Sequence, residues 1–336
     1  MSGASTPRTV RWAAVGTGTI SRSVVPDIQS VPEAEVVVVQ SRDPQKAAQF
    51  AAEFSIARST SDFDEVIQDD SVDAIYLATP FALHFGMARR ALKAGKHVLV
   101  EKPMALNAKE AAALFEIARA SNVFLMEAMW MKFSPVFRSL QDQLREGVIG
   151  VPRNLRASFG IPFPDTTGSR TDLARSGGAL LDQGIYPVTL AHTVFGEPES
   201  VVAAGTVRED GLDFAAHFTL EYSDGRYMQG SSSMVEFTEL TASVGGTKGW
   251  LTLSPPFWAT TDLHVHAGDL RRVFREPGLI THPREGSGYV PMIREVMEAL
   301  RDGLIEHPVH TADDTISVFR TLDAIFAQIR SGGPVA

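Results

Sequence analysis

The chain has 336 residues, 44% hydrophobic and 21% charged, a composition that suits two globular domains with cores of their own. Its 31 basic and 40 acidic residues leave a net charge of −9, a surface that repels phosphate backbones and argues against a nucleic-acid partner. It has no cysteine, which excludes disulfides, thiolate metal sites and cysteine nucleophiles, and no apolar run approaches the ~20 residues that span a bilayer. Met1–Thr9 is small and polar, unlike a secretory signal, so a cytoplasmic protein is expected.

The first predicted element is a strand, Val10–Val15, running into Gly16, with a helix after it to about Gln29 and a turn at Pro32. Glu35–Gln40 contains four successive valines, the continuous apolar run of a strand covered on both faces. Asp43 is the predicted N-cap of a helix through the alanine-rich Lys46–Phe54. Val72–Ala78 predicts a strand ending at Thr79-Pro80, and His84–Ala94 a helix with Gly95 in the stop position. His97–Val100 predicts a strand closed by Glu101-Lys102-Pro103. Asn107–Ala120 predicts a helix opened by the Asn107/Glu110 pair, and Val123–Met126 a further strand. This alternation implies an α/β, doubly wound parallel sheet of the Rossmann kind over residues 1–127.

Beyond Pro152 the texture changes. Strands are predicted at 154–161, 201–208, 214–222, 226–237, 240–244, 249–253 and 263–266, with turn signals such as Ser223-Asp224-Gly225 between them. Three helices are predicted, at 178–195, 289–302 and 311–329. Residues 128–336 are therefore expected to form an α+β domain on a large, mostly antiparallel open sheet, whose C-terminal helix is free to pack back on the first domain.

Gly16-Thr17-Gly18-Thr19-Ile20-Ser21 lies between the first strand and the first helix. Gly16 permits the tight turn, Gly18 lets the backbone approach a pyrophosphate, and the small Ser21 lets helix and strand pack closely. The helix N-terminus then points free N–H groups at the phosphates. The second strand ends in Gln40-Ser41-Arg42-Asp43, with no acid at its tip to hold a ribose 2′-hydroxyl. Arg42 offers a fork for a 2′-phosphate and Ser41 a hydroxyl, so the expected cofactor is NADP.

Lys102 follows the predicted strand His97–Val100, at a carboxyl end where ligands of parallel sheets lie. Together with the glycine turn, Thr79-Pro80 followed by His84, and Gly177-Gly178-Ala179-Leu180-Leu181-Asp182-Gln183-Gly184-Ile185-Tyr186-Pro187, the Glu-Lys-Pro triplet resembles the Gfo/Idh/MocA oxidoreductase family over nearly the whole chain. Met126–Pro135 resembles its dimeric dihydrodiol dehydrogenase and NADP-linked D-xylose dehydrogenase branch. The resemblance implies hydride transfer between NADP and a sugar, polyol or vicinal diol. It assigns catalysis to Lys102, Asp182 and Tyr186, a pocket wall to Trp130, and the 2′-phosphate contact to Arg42. The cofactor contacts expected are Gly16, Thr17, Gly18, Thr19, Ile20, Ser41, Arg42, Thr79, Pro80, His84, Glu101 and Lys102. Three positions depart from the pattern: Phe81 stands where many members have asparagine, Tyr186 where several have histidine, and Lys132 where the branch has arginine.

Oxidising a carbinol requires its hydroxyl proton to leave as hydride moves, and Lys102 is the expected acid/base, with Tyr186 donating or relaying. Asp182 stands four residues before Tyr186, one helical face on a regular α-helix, and is expected to hold a substrate hydroxyl or orient the base. Phe163, Phe257 and Trp258 are loop aromatics offering further pocket walls. The nine histidines show no metal-ligand spacing, so no metal is expected. The alternatives are a reductase of a sugar ketone or anhydro-sugar, since direction is not written in the sequence, and a non-catalytic NADP-binding regulator. A homodimer or dimer-based tetramer is expected from the exposed face of the second sheet.

Overall fold

The computed structural model describes residues 9–163 and 170–331. The N-terminal half alternates strand and helix: β1 (Val10–Val15), α1 (Thr19–Ser30), β2 (Ala34–Gln40), α2 (Pro44–Glu53), β3 (Arg58–Thr60), α3 (Phe63–Gln68), β4 (Ala74–Leu77), α4 (Phe81–Lys93), β5 (His97–Val100), α5 (Ala108–Ser121) and β6 (Leu125–Glu127). These strands form one parallel sheet in the order β3-β2-β1-β4-β5-β6. The order reverses between β1 and β4, which brings the carboxyl ends of β1, β4 and β5 to one edge, where open α/β sheets bind ligands. Ala13–Val15, Ala74–Leu77 and Val98–Val100 are fully or almost fully buried, as strands covered on both faces must be. Asp43 caps α2 as expected, accepting the Gln45 and Lys46 N–H groups at 2.9 and 3.3 Å. Gly95 stops α4 with φ +78°.

The rest comprises α6 (Pro135–Arg145), β7 (Pro152–Gly160), a π-helix (Leu180–Gly184) continuing into α7 (Ile185–Phe195), β8 (Ser200–Val207), β9 (Asp213–Glu221), β10 (Tyr227–Ser233), β11 (Ala242–Gly246), β12 (Gly249–Leu253), β13 (Asp262–Ala267), α8 (Leu270–Phe274), β14 (Gly278–Thr281), α9 (Val290–Arg301) and α10 (Ala312–Arg330). Eight strands form the second sheet in the order β14-β13-β12-β11-β7-β10-β9-β8. Every pairing is antiparallel except β7 with β10, so the largely antiparallel expectation holds.

The chain divides into two compact units. One comprises residues 1–105, 110–130 and 284–312, and the other residues 106–109, 131–283 and 313–336. The stretch 284–312, with α9, thus belongs to the nucleotide-fold unit, whereas all of α10 beyond Ala312 belongs to the other. Within the first unit α9 packs on α1, and the Leu125 N–H of β6 donates to Ile305 O at 3.0 Å, so the returning stretch pairs with the edge strand. Asp27 of α1 is buried and accepts main-chain N–H groups from Ser287 (2.9 Å) and Tyr289 (2.9 Å). No helix among the described residues is long and apolar enough to cross a membrane.

Candidate active site

The glycine bend is built by crowding. Gly16 has φ +106°, and a Cβ there would lie 2.3 Å from Ala78 O at the end of β4. Its N–H donates to Gln40 O at 2.9 Å and Ala78 donates to Val15 O at 2.8 Å, tying the ends of β1, β2 and β4 together. Gly18 is the N-cap of α1, supplies no capping side chain, and a Cβ on it would meet nothing within 4 Å. The first turn of α1 holds no acidic residue, so no carboxylate of that turn competes for its main-chain N–H groups or for the positive end of the helix. Ser21 is completely buried beneath this turn. Such a cradle fits a dinucleotide pyrophosphate.

The other expected cofactor residues surround it. Thr17 Oγ1 lies 3.3 Å from Ser41 Oγ, joining the bend to the tip of β2. Arg42 is exposed and makes no ion pair among the described residues, leaving its guanidinium available. Thr19 is exposed and Ile20 half-buried at the start of α1. Thr79 and Pro80 are half-buried where β4 gives way to α4, and the Thr79 Oγ1 is buried without a hydrogen-bond partner. His84 is completely buried, with Nδ1 2.8 Å from Pro103 O and Nε2 2.8 Å from Thr79 O. It braces the loop after β4 against the loop after β5 rather than lying open to a ligand. Burial lowers its pKa, favouring the neutral ring, although both ring nitrogens face carbonyl acceptors.

Lys102 is half-buried at the end of β5, its Nζ 5.8 Å from the centroid of the Phe81 ring. Phe81, one of the departures from the family pattern, thus offers its ring to the ammonium. Glu101 is buried, and its carboxylate accepts the Tyr76 hydroxyl at 2.8 Å. Burial pushes the Glu101 carboxyl up to about 7, opposed by the Tyr76 bond and the Lys102 charge. Behind the same loop Glu127 Oε1 accepts the Met104 N–H at 3.0 Å, and Oε2 pairs with His310 at 3.2 Å, both side chains 1% exposed. Trp130 lies in this unit too, 7% exposed and stacked on Tyr289 at 4.8 Å between ring centroids.

In the second unit the predicted helix starts at Gly178 but passes through the π-helix at Leu180–Gly184, so Asp182 and Tyr186 are not spaced on a regular α-helix. Two tethers shape it: Gln183 donates to Ile161 O at 3.2 Å and accepts the Ser233 N–H at 3.2 Å, clipping the helix to the ends of β7 and β10. Asp182 is 4% exposed and lies 3.3 Å from the Arg170 guanidinium, which sits 4.4 Å from the Phe163 ring centroid. The Tyr186 ring lies 5.7 Å from Phe159 and 5.9 Å from Trp258, themselves stacked at 3.5 Å. Phe257 is buried and meets Trp258 edge-on. Asp182, Tyr186, Phe163 and Trp258 are therefore brought into one neighbourhood with Phe159 and Arg170, two residues that no sequence signal singled out. Lys132 is 6% exposed and pairs with Asp314 at 3.2 Å. Among the described residues no group of three His, Asp or Glu side chains is placed to hold a metal ion.

Residues 10–129 match the Gfo/Idh/MocA oxidoreductase family with its NAD-binding Rossmann fold, and residues 137–252 match that family's C-terminal domain. The chain belongs to this family. It is an oxidoreductase built on a nicotinamide-nucleotide fold. It is 36% identical over 306 residues to the mouse (Mus musculus) trans-1,2-dihydrobenzene-1,2-diol dehydrogenase, covering 89% of this chain and 91% of that one. The human (Homo sapiens) enzyme of the same name is 35% identical over 312 residues, with the same coverage of both chains. Among solved structures it is similar to KijD10, a 3-ketoreductase from Actinomadura kijaniata in complex with NADP and TDP-benzene, with a TM-score of 0.86 and 28% identity over 96% of this chain and 98% of the other. That ketoreductase has also been solved with a lysine changed to alanine and with a tyrosine changed to phenylalanine.

Proposed function

We propose that the chain is an NADP-dependent dehydrogenase or reductase acting on a carbinol of a vicinal diol, sugar or polyol, of the dihydrodiol or aldose dehydrogenase type. The observation that carries this reading is the sheet edge on which the Gly16–Gly18 cradle and Lys102 both stand. The names of its relatives supply the substrate class, and the NADP held by the ketoreductase agrees with Arg42 at the tip of β2.

In this reading the α1 N-terminus and the Gly16–Gly18 backbone hold the pyrophosphate, and Ser41 and Arg42 hold the 2′-phosphate. The nicotinamide, when bound, supplies the site with a hydride acceptor. Lys102 takes the proton of the substrate hydroxyl as the carbinol C–H bond breaks and the carbonyl forms. Tyr186 relays or donates that proton, and Asp182 accepts a hydrogen bond from a second hydroxyl. The aromatic surface of Phe159 and Trp258 suits the apolar face of a ring. In reverse, the same groups return the proton to a carbonyl, the direction in which the ketoreductase is named. In the oxidative direction Lys102 enters the step as the neutral amine and leaves it as the ammonium.

Purified protein incubated with NADP or NAD and a panel of vicinal diols, aldoses and polyols tests this through the absorbance of reduced nicotinamide. Turnover with NADP on a diol or sugar is expected, and Lys102→Ala should lower kcat by about 10²–10⁴-fold while NADP affinity stays within a few-fold. No turnover on any member, or a Lys102→Ala variant as active as the parent, would sink the assignment. We propose further that this cytoplasmic enzyme works as a dimer formed through the face of the second sheet, where Val202 and Tyr227 are exposed. Light scattering that reported a monomer would refute that part.

A further inference from the structure

We infer that Asp213 is a positioning residue for Asp182 and Tyr186, acting through the turn that opens their helix. The inference rests on the reading that these two side chains serve the substrate. Asp213 opens β9 and is 1% exposed, and its Oδ2 accepts the Leu180 N–H at 2.7 Å across 33 residues of sequence. Leu180 is the first residue of the π-helix, and Ala179 before it provides no capping side chain. A helix start leaves main-chain N–H groups without intrahelical partners, and here they are buried, Ala179 being 0% and Leu180 1% exposed. A carboxylate placed there accepts the Leu180 N–H and meets the positive end of the peptide dipoles. The local Ser176 hydroxyl accepts the Gly178 N–H at 3.1 Å, and Asp213 adds from a neighbouring strand the acceptor for the Leu180 N–H.

The preceding glycine is shaped to admit this carboxylate. Gly178 has φ +81°, and a Cβ on it would lie 1.8 Å from Asp213 Oδ1 and 2.6 Å from its Cγ. Gly178 and Asp213 are complementary halves of one contact, which gives the second glycine of the Gly177-Gly178 pair a specific reason. Burial pushes the Asp213 carboxyl up to about 6, against main-chain N–H groups of Leu180, of Ala179 and of Asp213 itself. The charged groups on adjoining elements are Asp182 on the π-helix and the Arg208–Asp210 ion pair between β8 and β9, and none of them makes a hydrogen bond to it. Its hold on the turn is therefore through the main chain. Asp182 stands two residues beyond the capped amide and Tyr186 six, so a slip of the turn displaces both. Misplacement of a reacting group by about 1 Å costs on the order of 10²-fold in rate.

The test uses the full chain with Asp213→Ala, Asp213→Asn and Gly178→Ala. Asp213→Ala is expected to lose about 10- to 100-fold in kcat, with NADP affinity unchanged. The same variant should shift the fluorescence of Trp258, which neighbours Tyr186, and speed amide exchange at Ala179 and Leu180. Asp213→Asn keeps an oxygen for the Leu180 N–H and should recover most of the rate, the native emission and the protection. Gly178→Ala, which leaves the carboxylate in place but drives a methyl into it, should reproduce the Asp213→Ala signature, and it decides the matter if Asp213→Ala does not fold. Asp213→Asn as impaired as Asp213→Ala, or a Gly178→Ala variant indistinguishable from the parent, would overturn the inference. If the parent turned over no diol or sugar, the functional reading would fail, while exchange and Trp258 emission would still decide for or against Asp213.

Discussion

Glu101 lies beside the proposed acid/base and titrates within the working range of an enzyme. Its carboxyl is raised from 4.5 to about 7 by burial, so the folded chain holds the proton more tightly than the unfolded one. The associated stability is fully present below about pH 4.5 and is lost as pH rises through about 7. Glu101→Gln retains an acceptor for the Tyr76 hydroxyl and removes the proton. Calorimetric unfolding between those limits should show the parent losing on the order of 3 kcal/mol more than Glu101→Gln. Equal slopes would disprove the assignment. Arg42 makes a second residue-scale claim: Arg42→Ala should raise KM for NADP about 10-fold or more and leave KM for NAD within about two-fold. Gly16, Arg42 and Lys102 could be found from sequence because strand ends and glycines punctuate it. Phe159 and Asp213 could not, because what makes each of them matter is a contact with a segment far along the chain, and Arg170 matters through Asp182 and Phe163, which no periodic pattern ties to it.

At the scale of elements, the bend after β1 is the most constrained. Gly16→Ala would place a methyl against the Ala78 carbonyl at a positive φ. A cost of about 1–3 kcal/mol is expected, read from the denaturant midpoint, together with weakened NADP binding in a fluorescence titration. Strand-and-helix alternation from β1 to β6 was readable wherever β-branched runs were continuous. β3, α3, α6, α8 and β14 are not among the predicted elements. β3, α8 and β14 are three to five residues long, and β3 and β14 lie at sheet edges, where half-exposed sequence carries little apolar period. The π-helix was hidden for another reason: apolar spacing reports which face is buried, and the long-range hydrogen bonds of Gln183 and Asp213 at this turn leave no periodic trace.

For the molecule as a whole, the consequential feature is that residues 284–312 complete the nucleotide-fold unit. A cut at 127/128, natural from the change in sequence texture, leaves this stretch on the wrong side of the cut. A fragment ending at Trp130 is expected to be poorly folded, with exchange protection regained when residues 284–312 are supplied as a peptide; a well-protected fragment alone would contradict this. Asp27→Ala, which deprives the Ser287 and Tyr289 amides of their acceptor, should cost about 2–4 kcal/mol in the full chain.

During synthesis this arrangement imposes a wait. β6 leaves the ribosome with its outer edge bare, and Ile305, whose carbonyl pairs with its Leu125, lies roughly 180 residues later. At the usual pace of translation that interval is on the order of ten seconds, long enough for an unpaired strand to meet another nascent chain. Slowing elongation beyond Trp130, or depleting chaperones that shelter exposed strands, should therefore lower soluble yield before it alters the activity of the molecules that finish.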